Sequence, residues 1–196
     1  MKKPFKEFLQ VVKRDCKENG YRFLMCKGKY VTTSNIKTSG YFSDKPKVLA
    51  VAMGSADYKL ILAHEYSHLT QVKDKVVLWD LCEESSVKLD DWLNGKEVKD
   101  IKIHVSIVRS LELDNEMRTA KLMDVYDFGI SKEDYTRKAN AYIMFHNWIL
   151  ITRKWSRVGN HASTNQRIMA AMSDKFDMDY SKLSPKLKKI FREEGI

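Results

Sequence analysis

The chain has 196 residues, of which 43% are hydrophobic, so it is long enough to bury a core and we expect a single domain. No run approaches the roughly 20 apolar residues of a membrane span, and the N-terminus lacks the apolar stretch of a signal peptide. Three widely spaced cysteines, without a C-x-x-C pair, favour a reducing compartment and a cytoplasmic protein. The net charge of +9 comes from dispersed lysines without a nucleic-acid-reading motif, so we expect weak or no nucleic-acid binding and no membrane partner.

The first third of the chain is predicted to contain one helix and a small sheet. Apolar residues at helical spacing, followed by Gly20 as a stop, predict an amphipathic helix over residues 3–19. Short β-prone runs separated by turn residues then predict a mostly antiparallel sheet of three or four strands. These runs are Tyr21–Cys26, Lys29–Thr33, Gly40–Ser43 and Lys47–Met53.

A helix predicted over residues 57–73 carries the most informative motif of the chain, with Ser55 or Asp57 as its N-cap. His64-Glu65-Tyr66-Ser67-His68 matches H-E-x-x-H, the pattern of zinc metallopeptidases. Residues four apart share a helix face, so His64 and His68 can direct two imidazoles at one Zn²⁺ ion. Glu65 lies beside that face, where it can take a proton from water at the metal as the general base.

The remainder of the chain is predicted to be helical, which gives an α+β fold. Residues 74–96 predict one or two short helices, and residues 97–126 a second long helix. A third helix is expected over residues 131–157, with Ser131 as its N-cap. Two shorter helices are expected over residues 164–175 and 185–194, the last with Ser184 as N-cap and Pro185 as its first residue.

A catalytic zinc site takes three protein ligands, so two histidines require a partner. Glu112 and Glu116 are four residues apart and share a helix face with apolar neighbours. Two carboxylates on such a face are costly to bury unless they meet a positive charge, and a zinc ion would supply one. The 44 positions from His68 to Glu112 leave room for a connection and an antiparallel helix.

An HExxH helix followed by E-x-x-x-E on a later helix resembles the gluzincins. That resemblance implies Glu112 as the zinc ligand and Glu116 as the residue that holds a ligand histidine. Over roughly residues 40–125 the layout also resembles the ImmA/IrrE-type metallopeptidases. The chain as a whole resembles phage-encoded proteins of this type, for which the host cytoplasm is the expected location. Their acidic pattern matches Glu112 and Asp114, so the resemblance alone also allows Asp114. Asp114 lies about 200° around the helix from Glu112, which favours Glu112.

Two other residues are alternative third ligands. Asp74 would serve in a metzincin-like site, but Gln71 stands where that family has a turn-forming glycine. His104 would serve in a three-histidine site like that of SprT-like proteases, although its apolar surroundings favour a core position.

The predicted function is hydrolysis of peptide bonds by a zinc metallopeptidase that holds one Zn²⁺ ion and acts on a protein or peptide. His64, His68 and Glu112 are the expected ligands, Glu65 the general base and Glu116 the supporting carboxylate. Tyr66, Tyr142 and His146 could stabilise an oxyanion, with core packing favoured for His146. The alternatives are a catalytically silent zincin-fold adaptor and a DNA-associated SprT-like protease. The expected single domain comprises an N-terminal helix (1–20), a sheet and metal-site core (21–126) and a helical extension (127–196).

Overall fold

The computed structural model describes residues 1–33, 36–156 and 159–196, and its fold class is α+β, as predicted. The strands are β1 (Lys3–Pro4), β2 (Arg22–Cys26), β3 (Val31–Thr33), β4 (Ile36–Thr38), β5 (Gly40–Asp44), β6 (Lys47–Ala52) and β7 (Tyr126–Asp127). The helices are α1 (Phe5–Glu18), α2 (Tyr58–Lys73), α3 (Val77–Leu93), α4 (Ile101–Val125), α5 (Lys132–Thr152), α6 (Gln166–Ala170) and α7 (Pro185–Glu193). Within the described ranges, no helix is both long and apolar enough to cross a bilayer.

The chain divides into two compact units. The first unit consists of Met1–Val76 and Arg118–Ile130, and the second of Val77–Met117 and Ser131–Ile196. Helix α4 contributes to both units, because it runs without interruption from Ile101 to Val125. The expectation of a single functional domain stays a prediction.

The three-stranded sheet of the first unit is mixed rather than mostly antiparallel. Its order is β2–β6–β5, with β6 parallel to β2 and antiparallel to β5. Strands β3 and β4 form a separate antiparallel pair, and β1 and β7 form a short parallel one. The alternation of side chains identifies a strand but not the direction of its neighbour, so the sequence predicted the strands better than their pairing.

The central strand β6 is buried on both faces. Val48, Ala50 and Ala52 pack with Val31 of β3 on one face of the sheet. The alternate residues of β6 point to the other face, against which α2 packs. Burial on both sides explains why this segment reads as a continuous apolar run instead of an alternating one.

Helix α1 anchors α2 through one buried carboxylate. Asp15 of α1 accepts hydrogen bonds of 2.8 Å from the Tyr66 hydroxyl and from the Lys73 ammonium group. Burial acts to raise the pKa of Asp15, but the bonds from Lys73, Tyr66 and Arg14 outweigh it, so the pKa lies below its usual value. Phe8 of α1 packs edge-on against the Tyr66 ring, with centroids 5.4 Å apart. Both contacts hold the side of α2 that carries Tyr66.

The helices of the second unit differ from prediction mainly in length. Residues 77–93 form a single helix, α3, which is one of the two possibilities expected there but is longer than the short helix predicted. Helix α5 ends at Thr152 because Arg153 adopts a left-handed conformation (φ 53°), from which its guanidinium donates to Trp92 O and Lys96 O. The prediction had extended this helix to Arg157, which lies outside the described residues. Helix α6 spans only five residues, whereas the N-caps Ser131 and Ser184 are confirmed.

Gly40 of β5 lies where α2 packs closely against the sheet. A Cβ atom at this position would lie 2.5 Å from Ile61 Cγ2, 3.2 Å from Ala50 O and 3.3 Å from Glu65 Cγ. A distance of 2.5 Å is well inside van der Waals contact, so a side chain here would have to move α2 or distort the sheet. Gly40 therefore sets how closely Glu65 lies against β5.

We expect Gly40→Ala to lower the free energy of unfolding by about 1–3 kcal/mol, the usual cost of overpacking. The measurement is urea denaturation at pH 7. Gly28→Ala is the matched control, because its new Cβ would lie 3.6 Å from the nearest atom, in ordinary contact. Its effect should stay within about 0.5 kcal/mol. Equal stability of the two variants would show that α2 and β5 have room to separate at this point.

Candidate metal centre

Helix α2 brings the two motif histidines together one turn apart. The ring centroids of His64 and His68 are 4.9 Å apart, with the ring planes at 88°. The helix starts after Asp57, at its N-cap position, and most of the residues from Leu60 to Gln71 are buried. The i,i+4 spacing therefore places both imidazoles on one helix face, as predicted, and this helix is largely buried.

A carboxylate completes the group. The candidate ligand atoms of His64, His68 and Glu112 all lie within 4.8 Å of one another. No other group of three histidine, cysteine or acidic side chains in the described ranges is spaced to hold a metal ion. Two imidazoles and one carboxylate form a donor set that suits zinc, and three protein ligands leave a fourth position open. These residues therefore fit a single metal ion.

His68 is held in the form that binds metals. It is 8% exposed, and its Nδ1 lies 2.8 Å from Gln71 Oε1. Because the amide oxygen accepts, Nδ1 carries the proton, and Nε2 is the nitrogen whose lone pair suits a ligand bond. Burial, with a contribution from neighbouring His64, lowers the pKa of His68 to about 3, so the imidazole is neutral at pH 7. In the sequence, Gln71 is notable only for standing where metzincins have a glycine, and its bond to His68 was not predicted.

Helix α4 carries the carboxylate of this group, Glu112, and is fixed close to α2 by polar contacts. The hydroxyls of Ser67 and Thr119 are 2.8 Å apart, and both residues are fully buried. Arg118 donates to Thr70 Oγ1 at 3.1 Å. Thr119 and Glu112 are seven residues, or two turns, apart on α4, so they lie on the same side of that helix.

The alternative ligands are not brought into this group. Asp74 forms an ion pair with Arg118, with Nη1 and Oδ2 2.6 Å apart, and its side chain is mostly exposed. His104 Nδ1 lies 3.3 Å from Ser85 Oγ. Asp114 does not belong to the group either, as its position on the helical wheel relative to Glu112 predicted.

Two further carboxylates lie on the helices of the site. Glu65 is 9% exposed and lies against Gly40 of β5. Glu116 is 5% exposed and accepts a hydrogen bond from the Tyr135 hydroxyl. Tyr135 was not predicted as a partner, and nothing in the spacing of the chain links it to Glu116. The role of Glu116 in holding a ligand histidine stays a prediction.

The three candidate oxyanion donors have different surroundings. The Tyr66 hydroxyl donates a hydrogen bond to Asp15. The pKa of Tyr66 is raised mainly by burial and secondly by this bond. His146 is fully buried, and its Nδ1 donates to Tyr142 O at 3.2 Å, as a core histidine would. Tyr142 is half-buried and meets the His146 ring edge-on, with centroids 5.1 Å apart. Tyr142 is thus the donor candidate that keeps some exposure.

Comparison of the chain with models of known protein families, with curated proteins and with solved structures gives no match. The resemblance of its motifs to gluzincins and to ImmA/IrrE-type metallopeptidases therefore stays a prediction.

We expect His146 to make the protein less stable in acid. Burial lowers the pKa of His146 to about 4, whereas a histidine in the unfolded chain titrates near pH 6.5. Because the pKa of His146 is lower in the folded protein, its contribution to the free energy of unfolding is fully present above pH 6.5. This contribution is lost as the pH falls towards 4. Between pH 7 and pH 5 the loss from this residue is about 2 kcal/mol.

The measurement is urea denaturation at both pH values, with a chelator present, on the wild type and on His146→Gln. The variant should lose about 2 kcal/mol less between the two pH values than the wild type. His161→Gln, which removes an exposed histidine of the same unit, is the control. The same pH dependence in wild type and His146→Gln would show that His146 is protonated in the folded protein.

Proposed function

We propose that the chain is a zinc-dependent metallopeptidase of the HExxH type, with a zincin-like arrangement of α2 and α4. The observation that carries the proposal is the group of His64, His68 and Glu112, with ligand atoms within 4.8 Å of one another. Glu65 directly follows His64 in the sequence. A chance pair of core histidines would not account for a carboxylate that lies beside them from a helix more than 40 residues later in the chain.

The donor set supports zinc over harder cations. Magnesium and calcium take oxygen ligands, whereas two neutral imidazoles and one carboxylate suit a borderline-soft ion with tetrahedral preference. The His68 imidazole is neutral without a metal, because burial disfavours its protonated form. Gln71 determines which ring nitrogen carries the proton. His68 thus needs no change of its protonation to accept the ion.

The chain's own residues supply the proton transfers of peptide hydrolysis. When bound, zinc would polarise the scissile carbonyl and lower the pKa of an attacking water molecule towards about 7. Glu65 follows His64 directly and would accept the water proton on its carboxylate, then deliver it to the leaving amine. Gly40 allows Glu65 to lie close to β5. A hydrogen-bond donor would stabilise the oxygen that becomes negative, and Tyr142 is the candidate among the three whose side chain keeps some exposure.

A catalytically silent adaptor with the same fold is the second candidate. It would keep the metal group and the fold but turn over no peptide. The presence of Glu65 beside the histidines favours the enzyme, because a purely structural metal site has no need for a base at that position.

The first prediction from this proposal concerns zinc content. The purified protein should carry about one zinc per chain, and His64→Ala, His68→Ala or Glu112→Ala should remove most of it. Glu116→Ala should weaken zinc binding by about 10–100-fold, as loss of a residue that holds a ligand typically does. The measurements are elemental analysis and competition with a chromogenic chelator.

Asp114→Ala is the matched control for Glu112→Ala, since it removes the same charge from the same helix. It should leave zinc nearly intact, as should His104→Ala. Zinc loss in Asp114→Ala with retention in Glu112→Ala would move the third ligand to Asp114. Full zinc retention in both histidine variants would reject the metal site itself.

The second prediction concerns catalysis. Glu65→Gln should keep zinc and the fold but lower the turnover of a peptide library by at least about 100-fold, because it removes the base and no ligand. Glu133→Gln is the control, because Glu133 is an exposed carboxylate on α5, and this variant should keep full activity. Zinc-loaded wild type that cleaves no peptide, in an assay where a known metallopeptidase does, would support the silent adaptor.

A further inference from the structure

The positive charge of the chain is segregated in the folded protein. The first unit contains 17 lysine and arginine residues against 9 aspartate and glutamate residues, a formal charge of +8. The second unit contains 18 against 17, a formal charge of +1. Along the sequence the lysines looked dispersed, but nearly all of the surplus belongs to the unit that contains α1, the sheet and the HExxH helix.

Within that unit, α1 carries an ordered row of cations. Lys6, Lys13 and Lys17 are exposed, and their spacings of seven and four residues place them within about 40° of one another around the helix. We name these three residues the lysine row. It lies on the side of α1 opposite the buried residues, which include Phe8 and Val12. Lys6 and Lys17 are about 16 Å apart along the helix axis, from the rise of 1.5 Å per residue.

No carboxylate neutralises the lysine row. Within the described residues, none of its three ammonium groups forms an ion pair, whereas neighbouring cations of β1, α1 and α2 do. Arg14 pairs with Asp15, and Lys3 pairs with Glu7. Lysines are strongly hydrated, so three aligned and unpaired ammonium groups remain available to a partner that brings regularly spaced negative charge.

The surroundings of the row favour a nucleic acid over a protein partner. Protein interfaces place apolar and aromatic side chains at their centre. No large apolar side chain between Phe5 and Glu18 is fully exposed in the described structure, because the apolar residues of α1 face inward. A surface with charge and without an apolar centre matches the contacts that bind a phosphodiester backbone irrespective of sequence.

We propose that the lysine row of α1, within the basic first unit, binds the phosphate backbone of nucleic acid without sequence specificity. This surface is separate from the metal centre, and its function does not depend on peptidase activity. The expected affinity is that of non-specific binding, with a dissociation constant of about 10⁻⁶–10⁻⁴ M at physiological salt.

The test is the salt dependence of binding. Fluorescently labelled 30-base-pair DNA, single-stranded DNA and RNA of the same length are titrated with the full chain between 50 and 200 mM salt. The protein carries Glu65→Gln throughout, so that proteolysis cannot affect the result. The logarithm of the binding constant should fall linearly with the logarithm of salt concentration, and the three nucleic acids identify the preferred source of the backbone.

The variant Lys6→Ala/Lys13→Ala/Lys17→Ala should reduce the magnitude of this slope on duplex DNA by about 2–3, because each lost phosphate contact removes about 0.9. Lys6→Arg/Lys13→Arg/Lys17→Arg keeps the charge and should bind like the parent. Lys186→Ala/Lys188→Ala/Lys189→Ala is the matched control, since it removes three exposed charges from α7 in the second unit. Alanine favours helix, and thermal unfolding by circular dichroism verifies the fold of each variant.

Three results would overturn the proposal. The first is an unchanged slope in the alanine variant of α1, and the second is an equal loss in the control variant of α7. The third is a competition experiment in which polyglutamate displaces the labelled DNA as effectively as unlabelled DNA of equal charge does. That result would indicate an acidic protein partner instead.

Discussion

A helix that is buried on most of its sides must find a hydrogen-bond partner for each polar side chain that it buries. Helix α2 meets this requirement differently on each side. Tyr66 reaches Asp15 of α1, Ser67 reaches Thr119 of α4, and His68 reaches Gln71 on α2 itself. These bonds fix the rotation of α2 and thereby the direction in which the motif histidines point.

The sequence predicted those features that follow from local periodicity. The i,i+4 rule placed His64 and His68 on one face, and the same rule with the helical wheel separated Glu112 from Asp114. Both inferences needed only that two segments be helical, which their apolar patterns indicated. The N-caps Ser131 and Ser184 were also predictable, because a cap depends on residues within one turn of it.

Apart from the approach of Glu112 to the histidines, features that depend on long-range packing were not predicted. The parallel pairing of β2 with β6 follows from the path of the chain through β3 to β5, which no local pattern records. The bond of Tyr66 to Asp15 joins residues 51 positions apart, and that of Tyr135 to Glu116 joins two helices. Gln71 lies within one turn of His68, so its role could have been inferred from spacing. It was overlooked because the residue was compared with a family pattern rather than with its own neighbours.

The distribution of charge between the two units also could not be predicted from the sequence. A residue count along the chain gives +9 and a dispersed distribution, and only the assignment of segments to compact units reveals the asymmetry. Helix α1 contributes to both packing and surface charge. Its inward face contributes Asp15 to the packing of α2, and its outward face carries Lys6, Lys13 and Lys17.

The seven-residue interval from Glu112 to Thr119 restricts how this chain can diverge. Thr119 meets Ser67 at one end of the interval, and Glu112 joins the histidines at the other. Deleting or inserting one residue between them would turn Glu112 by about 100° around α4 and shift it by about 1.5 Å along the axis. Relatives that keep this centre should therefore keep the interval free of insertions and deletions, even where its side chains are replaced. The pattern H-E-x-x-H, followed later by Glu and a small hydroxyl residue seven positions on, is then a more selective signature of such relatives than the five-residue motif alone.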